Sequence, residues 1–98
     1  MVREFVGPFD RQIRVIGEAA EPQAIPYRQH MTVLDVLILA KGLTRFAAGN
    51  SSVIIRAVPG HGSTELHPRL ADLIKEGDMS QNVEMQPGDT LIIPQTWF

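Results

Sequence analysis

The sequence contains no cysteine, which removes a disulfide framework, thiolate metal sites, iron–sulfur clusters and a cysteine nucleophile together. It leaves the compartment open, because an exported domain with an adequate apolar core needs no disulfides. Aromatic residues are scarce, with one Trp, one Tyr and four Phe spread along the chain, so an aromatic-lined cofactor pocket has little to be built from. Long apolar runs are missing as well. The longest unbroken apolar run is Val36–Ala40, far short of the roughly 20 residues of a membrane span. The opening Met-Val-Arg-Glu-Phe-Val-Gly-Pro has no basic region followed by an apolar stretch and a small-residue cleavage site, and does not read as a secretory signal. Nor is there a surplus of positive charge. The formal net charge is −2, and residues 70–98 carry one Lys against five acids, while residues 1–69 carry eight basic residues against six acids. That balance argues against nucleic acid as a partner.

What is present is an ordinary globular composition, 44% hydrophobic and 20% charged over 98 residues, enough for one small domain. Residues 1–10 read as an N-terminal tail, 11–94 as the domain and 95–98 as a C-terminal tail. Gln12 to Glu18 alternates with period two, placing Ile13, Val15 and Gly17 on one face and Arg14 and Ile16 on the other, which is a strand. Ala20-Glu21-Pro22-Gln23 is a turn, and Ala24-Ile25-Pro26-Tyr27 is a short returning strand whose Pro26 belongs at a sheet edge. Thr32-Val33-Leu34-Asp35 is a helix start, with the Thr hydroxyl as cap and a carboxylate three residues on. The helix of about ten residues from Val33 is apolar most of the way round and is expected to be largely covered, with Gly42 as its left-handed terminator. Val53–Val58 is too short for a helix and rich in β-branched residues, so it reads as a central strand. Pro59–Ser63 is a turn, Thr64–His67 a partner strand, and Pro68 the first position of a short amphipathic helical turn ending near Gly77. Gln86-Pro87-Gly88-Asp89 fits a type II turn leading to a last strand over 90–94. The order β-β-α-β-β-(short α)-β, about five strands in a mixed sheet around one main helix, is that of an α+β β-grasp.

The residues that could carry chemistry do not assemble into a motif. His30, His61 and His67 form no His-x-x-x-His pair, and no metal site is expected. Glu18/Glu21 and Glu76/Asp78 are paired only in turn-like sequence, no Ser lies in a Gly-x-Ser-x-Gly context, and no Gly-rich loop reads as a phosphate cradle. No catalytic residue is nominated, no cofactor is implied, and an enzyme is not expected. Arg14 and Arg56 sit in otherwise apolar strands, where each guanidinium must reach water, an acid or a polar ligand. Trp97 and Phe98 either fold back on the core or mark a contact with further chain.

Taken in order, these pieces resemble the SLBB (soluble ligand-binding β-grasp) domains of Wza-like outer-membrane polysaccharide export proteins. Ile13-Arg14-Val15-Ile16-Gly17-Glu18 resembles the family's opening strand, and Pro22 its turn proline. Thr32-Val33-Leu34-Asp35-Val36-Leu37 with Ala40-Lys41-Gly42-Leu43-Thr44 resembles its helix ending in Ala-Gly-Gly-Leu-Thr. Ala47 or Ala48 followed by Val53-Ile54-Ile55-Arg56, then Asp72–Gly77 and Gln86–Pro94, complete the set. Three positions depart from the pattern: Gln23 after Pro22 where Gly is usual, Lys41 for the first Gly of the pair, and Ala19 for a valine.

The resemblance implies a non-enzymatic periplasmic module, one domain of a longer outer-membrane export protein. Its implied partners are other copies of itself in a ring, exopolysaccharide or capsule glycan, and an inner-membrane polysaccharide co-polymerase. Glycans favour polar side chains and aromatic faces, so Arg14, Tyr27, Arg28, Arg45 and Arg56 are the candidates for glycan or subunit contact. The alternative is a β-grasp domain binding a small, cobalamin-like cofactor, which would need a concave face lined by apolar and aromatic groups. A ubiquitin-like carrier needs a Gly-Gly end, and this chain ends Gln95-Thr96-Trp97-Phe98.

Overall fold

Alternation in the first strand places the core. In the structure, a computed structural model that describes residues 11–96, β1 (Gln12–Gly17) buries Ile13 and Val15 completely and turns Arg14 and Ile16 outward. β1 pairs antiparallel with β2 (Ala24–Pro26) and parallel with β5 (Thr90–Ile93). β3 (Val53–Val58) lies antiparallel to both β5 and β4 (Gly62–Leu66). The strand order is β2-β1-β5-β3-β4, so Pro26 sits on an edge strand, where its missing N–H costs no ladder bond. Two helices, α1 (Val33–Leu39) and α2 (Leu70–Lys75), and two 3₁₀ turns complete the expected α+β, β-grasp-like arrangement. Val36, Leu37 and Ala40 of the α1 segment join Ile13, Val15, Ile54, Leu91 and Ile93 of the sheet in one buried cluster. The 1–10 segment and the pair Trp97 and Phe98 lie outside the described residues.

β1 and β5 approach so closely at their ends that Gly17, at φ 96°, has no room for a side chain: a Cβ there would collide with the Ile93 carbonyl oxygen. The same carbonyl accepts from the Glu18 amide at 2.9 Å. The glycine that closes the first strand is therefore a packing requirement of the parallel pair.

α1 begins where its cap predicts. The Thr32 hydroxyl accepts from the Asp35 amide while the Asp35 carboxylate accepts from the Thr32 amide, a complete capping box. The other free amides of its first turn are taken by distant chain: Val33 N–H donates to the Val83 carbonyl and Leu34 N–H to the Asn82 side chain.

Its end departs from expectation. The helix is seven residues long, and two consecutive residues are left-handed, Lys41 (φ 68°) as well as the expected Gly42 (φ 87°). Gly42 N–H bonds the Leu37 carbonyl and Lys41 N–H the Ile38 carbonyl, the two bonds of a Schellman stop with Lys41 at C′. The remaining carbonyls bond the β1–β2 loop, Ala40 accepting from Glu21 N–H at 2.9 Å and Leu39 from the Gln23 amide group at 3.4 Å.

Nor is α1 covered all round. Ile38 is 64% and Leu39 47% exposed, because the sheet takes only the Val33-Val36-Leu37-Ala40 stripe and nothing described packs on the opposite side. Pro68 is likewise not the first helical residue. It is fully buried, and α2 starts two residues later, after Arg69 as N-cap.

Candidate functional site

Two places gather charged side chains, and they differ in whether the charge is answered. At the first, Gln86-Pro87-Gly88-Asp89 forms the expected turn, with Gly88 at φ 88° and the Asp89 amide bonded to the Gln86 carbonyl at 3.1 Å. Asp89 is completely buried. Its carboxylate accepts from Arg56 Nε at 3.1 Å, from Arg56 Nη2 at 2.9 Å and from the Gln86 amide at 2.9 Å. Arg56 Nη2 also donates to the Glu84 carbonyl at 3.0 Å. The arginine that reads as a stranded charge within an apolar strand is thus the partner of a buried acid 33 positions away, in the two-pronged geometry that guanidinium and carboxylate share.

The second place lies along α1, where three clefts run end to end through shared residues. The first, about 360 Å³, is lined by Arg28, Gln29, His30, Met31, Asp35, Ile38 and Leu39. Ile38 passes into the second, about 250 Å³ and bounded by Leu34, Leu37, Ile38, Gly42 and Ile74. Gly42 and Ile74 pass into the third, about 370 Å³, walled by Leu43, Thr44, Arg45 and Ala47 on one side and Ala71, Ile74 and Lys75 on the other. The result is a shallow groove with an apolar middle, cations at both ends, and exposed Ile38, Leu39 and Ile74 on its rim.

Backbone contacts hold the third cleft in shape. The α1–β3 loop presses on α2 so tightly at Gly49 that a Cβ would meet the Ala71 amide nitrogen at 2.9 Å. Asn50 ties the same two segments, donating to the Asp72 carboxylate and accepting from the Asp72 amide, each at 3.1 Å. On the other side the Thr44 hydroxyl donates to Glu18 at 2.7 Å and the Thr44 amide to the Glu18 carbonyl at 2.9 Å. Pairing continues past β5: Gln95 bridges to Ala47, and Thr96 N–H donates to the Phe46 carbonyl. These two residues of the expected C-terminal tail are therefore held against the loop.

The five residues nominated from sequence do not converge. Arg14 projects from the outer face of the sheet, between Ala24 and Thr90. Tyr27, just after β2, is half-buried against the core. Arg28 lines the first cleft and Arg45 the third, with the Arg45 guanidinium 5.3 Å from the centre of the Phe46 ring. Arg56 is bonded to Asp89. Lys75 and Phe46 were not nominated, and only the packing of the loop on α2 brings Lys75 into the cleft with Arg45.

Elsewhere Arg69, Asp72 and Asp78 form a small surface network. Arg69 bonds Asp72 at 2.9 Å and reaches Asp78 at 3.6 Å. Its guanidinium, followed by the Asn50 amide, holds the Asp72 carboxyl below its ordinary range, while the bond to Asp72 raises Arg69. His30 faces Glu84 at 3.8 Å and His67 faces Glu65 at 3.5 Å, both exposed. Among the described residues no group of three or more His, Asp and Glu is placed to hold a metal ion, and no helix is long and apolar enough to cross a membrane. Against known families, the model described as the SLBB domain matches residues 11–93.

Proposed function

The chain belongs to the SLBB domain family, a soluble ligand-binding module, and on that premise we propose that it serves polysaccharide export without catalysing a reaction. In this reading the domain is a periplasmic part of a Wza-like outer-membrane export protein. It packs beside other copies in a ring, touches the exported glycan, and meets an inner-membrane polysaccharide co-polymerase. The family match and the ordered motifs support the export context. The observation that carries the packing role is the uncovered side of α1, where Ile38 and Leu39 stand exposed, with Ile74 of α2 exposed across the apolar cleft from Ile38. Three large aliphatic side chains in one strip lose free energy in water and regain it against a neighbour.

The cofactor-binding alternative has weaker support. None of the three clefts has an aromatic residue in its lining, whereas cofactor sites enclose their ligand between apolar and aromatic walls.

Sedimentation velocity over a dilution series tests the packing role. The parent chain is expected to self-associate with rising concentration, and Ile38→Lys, a change at an exposed position, to abolish this while leaving the melting temperature within a few degrees. Equal association of both chains would remove the α1 face from the interface. Saturable binding of a cobalamin by the parent chain would favour the cofactor reading instead.

A further inference from the structure

Among the described residues Arg56 and Arg69 are the arginines and lysines held in ion pairs, and of the six that are not, Arg45 and Lys75 share one cleft. Arg56 is paired with Asp89, and Arg69 with Asp72 and Asp78. Arg28 shares its cleft with Asp35. The third cleft differs: Arg45 and Lys75 both line it, its lining contains no carboxylate, and neither residue makes an ion pair among the described residues. Of the acids bonded to the walls, Glu18 accepts from the Thr44 hydroxyl and Asp72 from Asn50 and Arg69. Like charges lining one shallow space repel, and a bound anion relieves that repulsion.

The cleft also offers apolar contact. Ile74 is 45% exposed along one wall, and Phe46, between the lining residues Arg45 and Ala47, is 54% exposed with the guanidinium over its ring. A cation stacked on an accessible aromatic face, next to aliphatic surface, suits a ligand with a carboxylate on one side and C–H groups on the other. An acidic pyranose unit has that construction: its ring carbons present C–H faces and its carboxylate projects from the ring edge. The volume, about 370 Å³, is of the order that small-molecule sites occupy.

We propose that the cleft between the α1–β3 loop and α2 is a binding site for an acidic sugar unit, with Arg45 and Lys75 pairing with its carboxylate and Phe46 and Ile74 packing on its C–H face. The proposal rests on the glycan contact in the function proposed above and assigns it a place and a charge.

The test is a heteronuclear NMR titration of the labelled 98-residue chain with an oligomer of glucuronic acid, a glucose oligomer of the same length, and acetate. The acidic oligomer is expected to shift the amides of 42–47 and 71–75 saturably, and the neutral oligomer not to shift them. Arg45→Gln and Lys75→Gln are each expected to weaken binding roughly threefold or more, as is about 0.5 M NaCl, while the distant Arg11→Gln leaves it unchanged. All three substitutions are at exposed positions, and an unaltered spectrum elsewhere confirms the fold.

Acidic-oligomer shifts confined to another surface, such as the outer sheet face around Arg14, would overturn this site and leave glycan contact standing. Equal response to the neutral oligomer would overturn the charge assignment. Equal response to acetate would reduce the site to a general anion cradle and overturn its sugar specificity. No shift with either oligomer would overturn the glycan contact itself.

Discussion

Arg56 and Arg45 are both arginines near an apolar wall, and the molecule treats them in opposite ways. Arg56 reaches a fully buried carboxylate with two donors and a carbonyl with a third bond, closing the turn between β5 and the segment that precedes it. Arg45 lies over an exposed ring beside a second unpaired cation. The difference teaches where to look for function. A charge whose bonds are completed inside the fold stabilises that fold, whereas a charge held in place by packing but left unanswered is available to something else.

The largest effect is expected at the closed end. Arg56→Leu removes three donors and leaves Asp89 buried with only the Gln86 amide, so it is expected to cost about 3–5 kcal/mol in urea unfolding. Asp89→Asn keeps the shape and leaves an arginine whose side chain is 22% exposed and can hydrate; about 1–3 kcal/mol is expected. Equal losses would mean that the pair acts by charge alone.

Sharpening comes at the α1 stop. Lys41 holds φ 68° at C′, a conformation that strains a side-chain-bearing residue and not glycine. Lys41→Gly is expected to raise stability by about 0.5–1 kcal/mol after the greater freedom of the unfolded chain is counted. At the open end, Arg45→Gln and Lys75→Gln together are expected to change unfolding free energy by no more than about 0.5 kcal/mol. A large loss there would show that these cations serve the fold after all.

The smallest effect is one of pH. Asp72 is held below its ordinary value by Arg69 and Asn50, so in the folded chain it stays ionised where the unfolded chain takes up a proton. Its contribution is fully present above the unfolded carboxylate value of about 3.9 and is lost as pH falls through the lower folded value. The melting-temperature gap between the parent and Asp72→Asn is therefore expected to be constant above about pH 5 and to shrink below about pH 4. A gap that persists into acid would show that geometry, not charge, accounts for it.

What the chain reveals before folding is what depends on neighbours in sequence. The capping box of Thr32 and Asp35, the turn at Pro87-Gly88, the alternation of β1 and the edge position of Pro26 are all written in spans of a few residues. The α1 stop is legible at Gly42, which is left-handed as expected, while the left-handed Lys41 ahead of it is not, because glycine is the usual signal for that conformation. The apolar residues around α1 do not say which are covered, since Ile38 and Leu37 are alike in composition and differ only in what faces them.

The site residues are less legible still. Arg56 reads as stranded until Asp89 is seen to be buried beneath it. Lys75 reads as the end of a short helix until the loop packs on α2 beside Arg45. Both depend on contacts across 30 or more residues, where no local pattern gives a signal.

The strand order also dictates when the domain can form during synthesis. β5 lies between β1 and β3, so the first four strands yield two separate hairpins that share no edge until residues 90–93 arrive. At about 5–20 residues per second, β5 follows the completed second hairpin by a few seconds or less, and the two hairpins stay apart for that interval. Closure of the sheet, with Leu91 and Ile93 filling the middle of the core, therefore waits for β5, and without that strand the two hairpins have no shared edge.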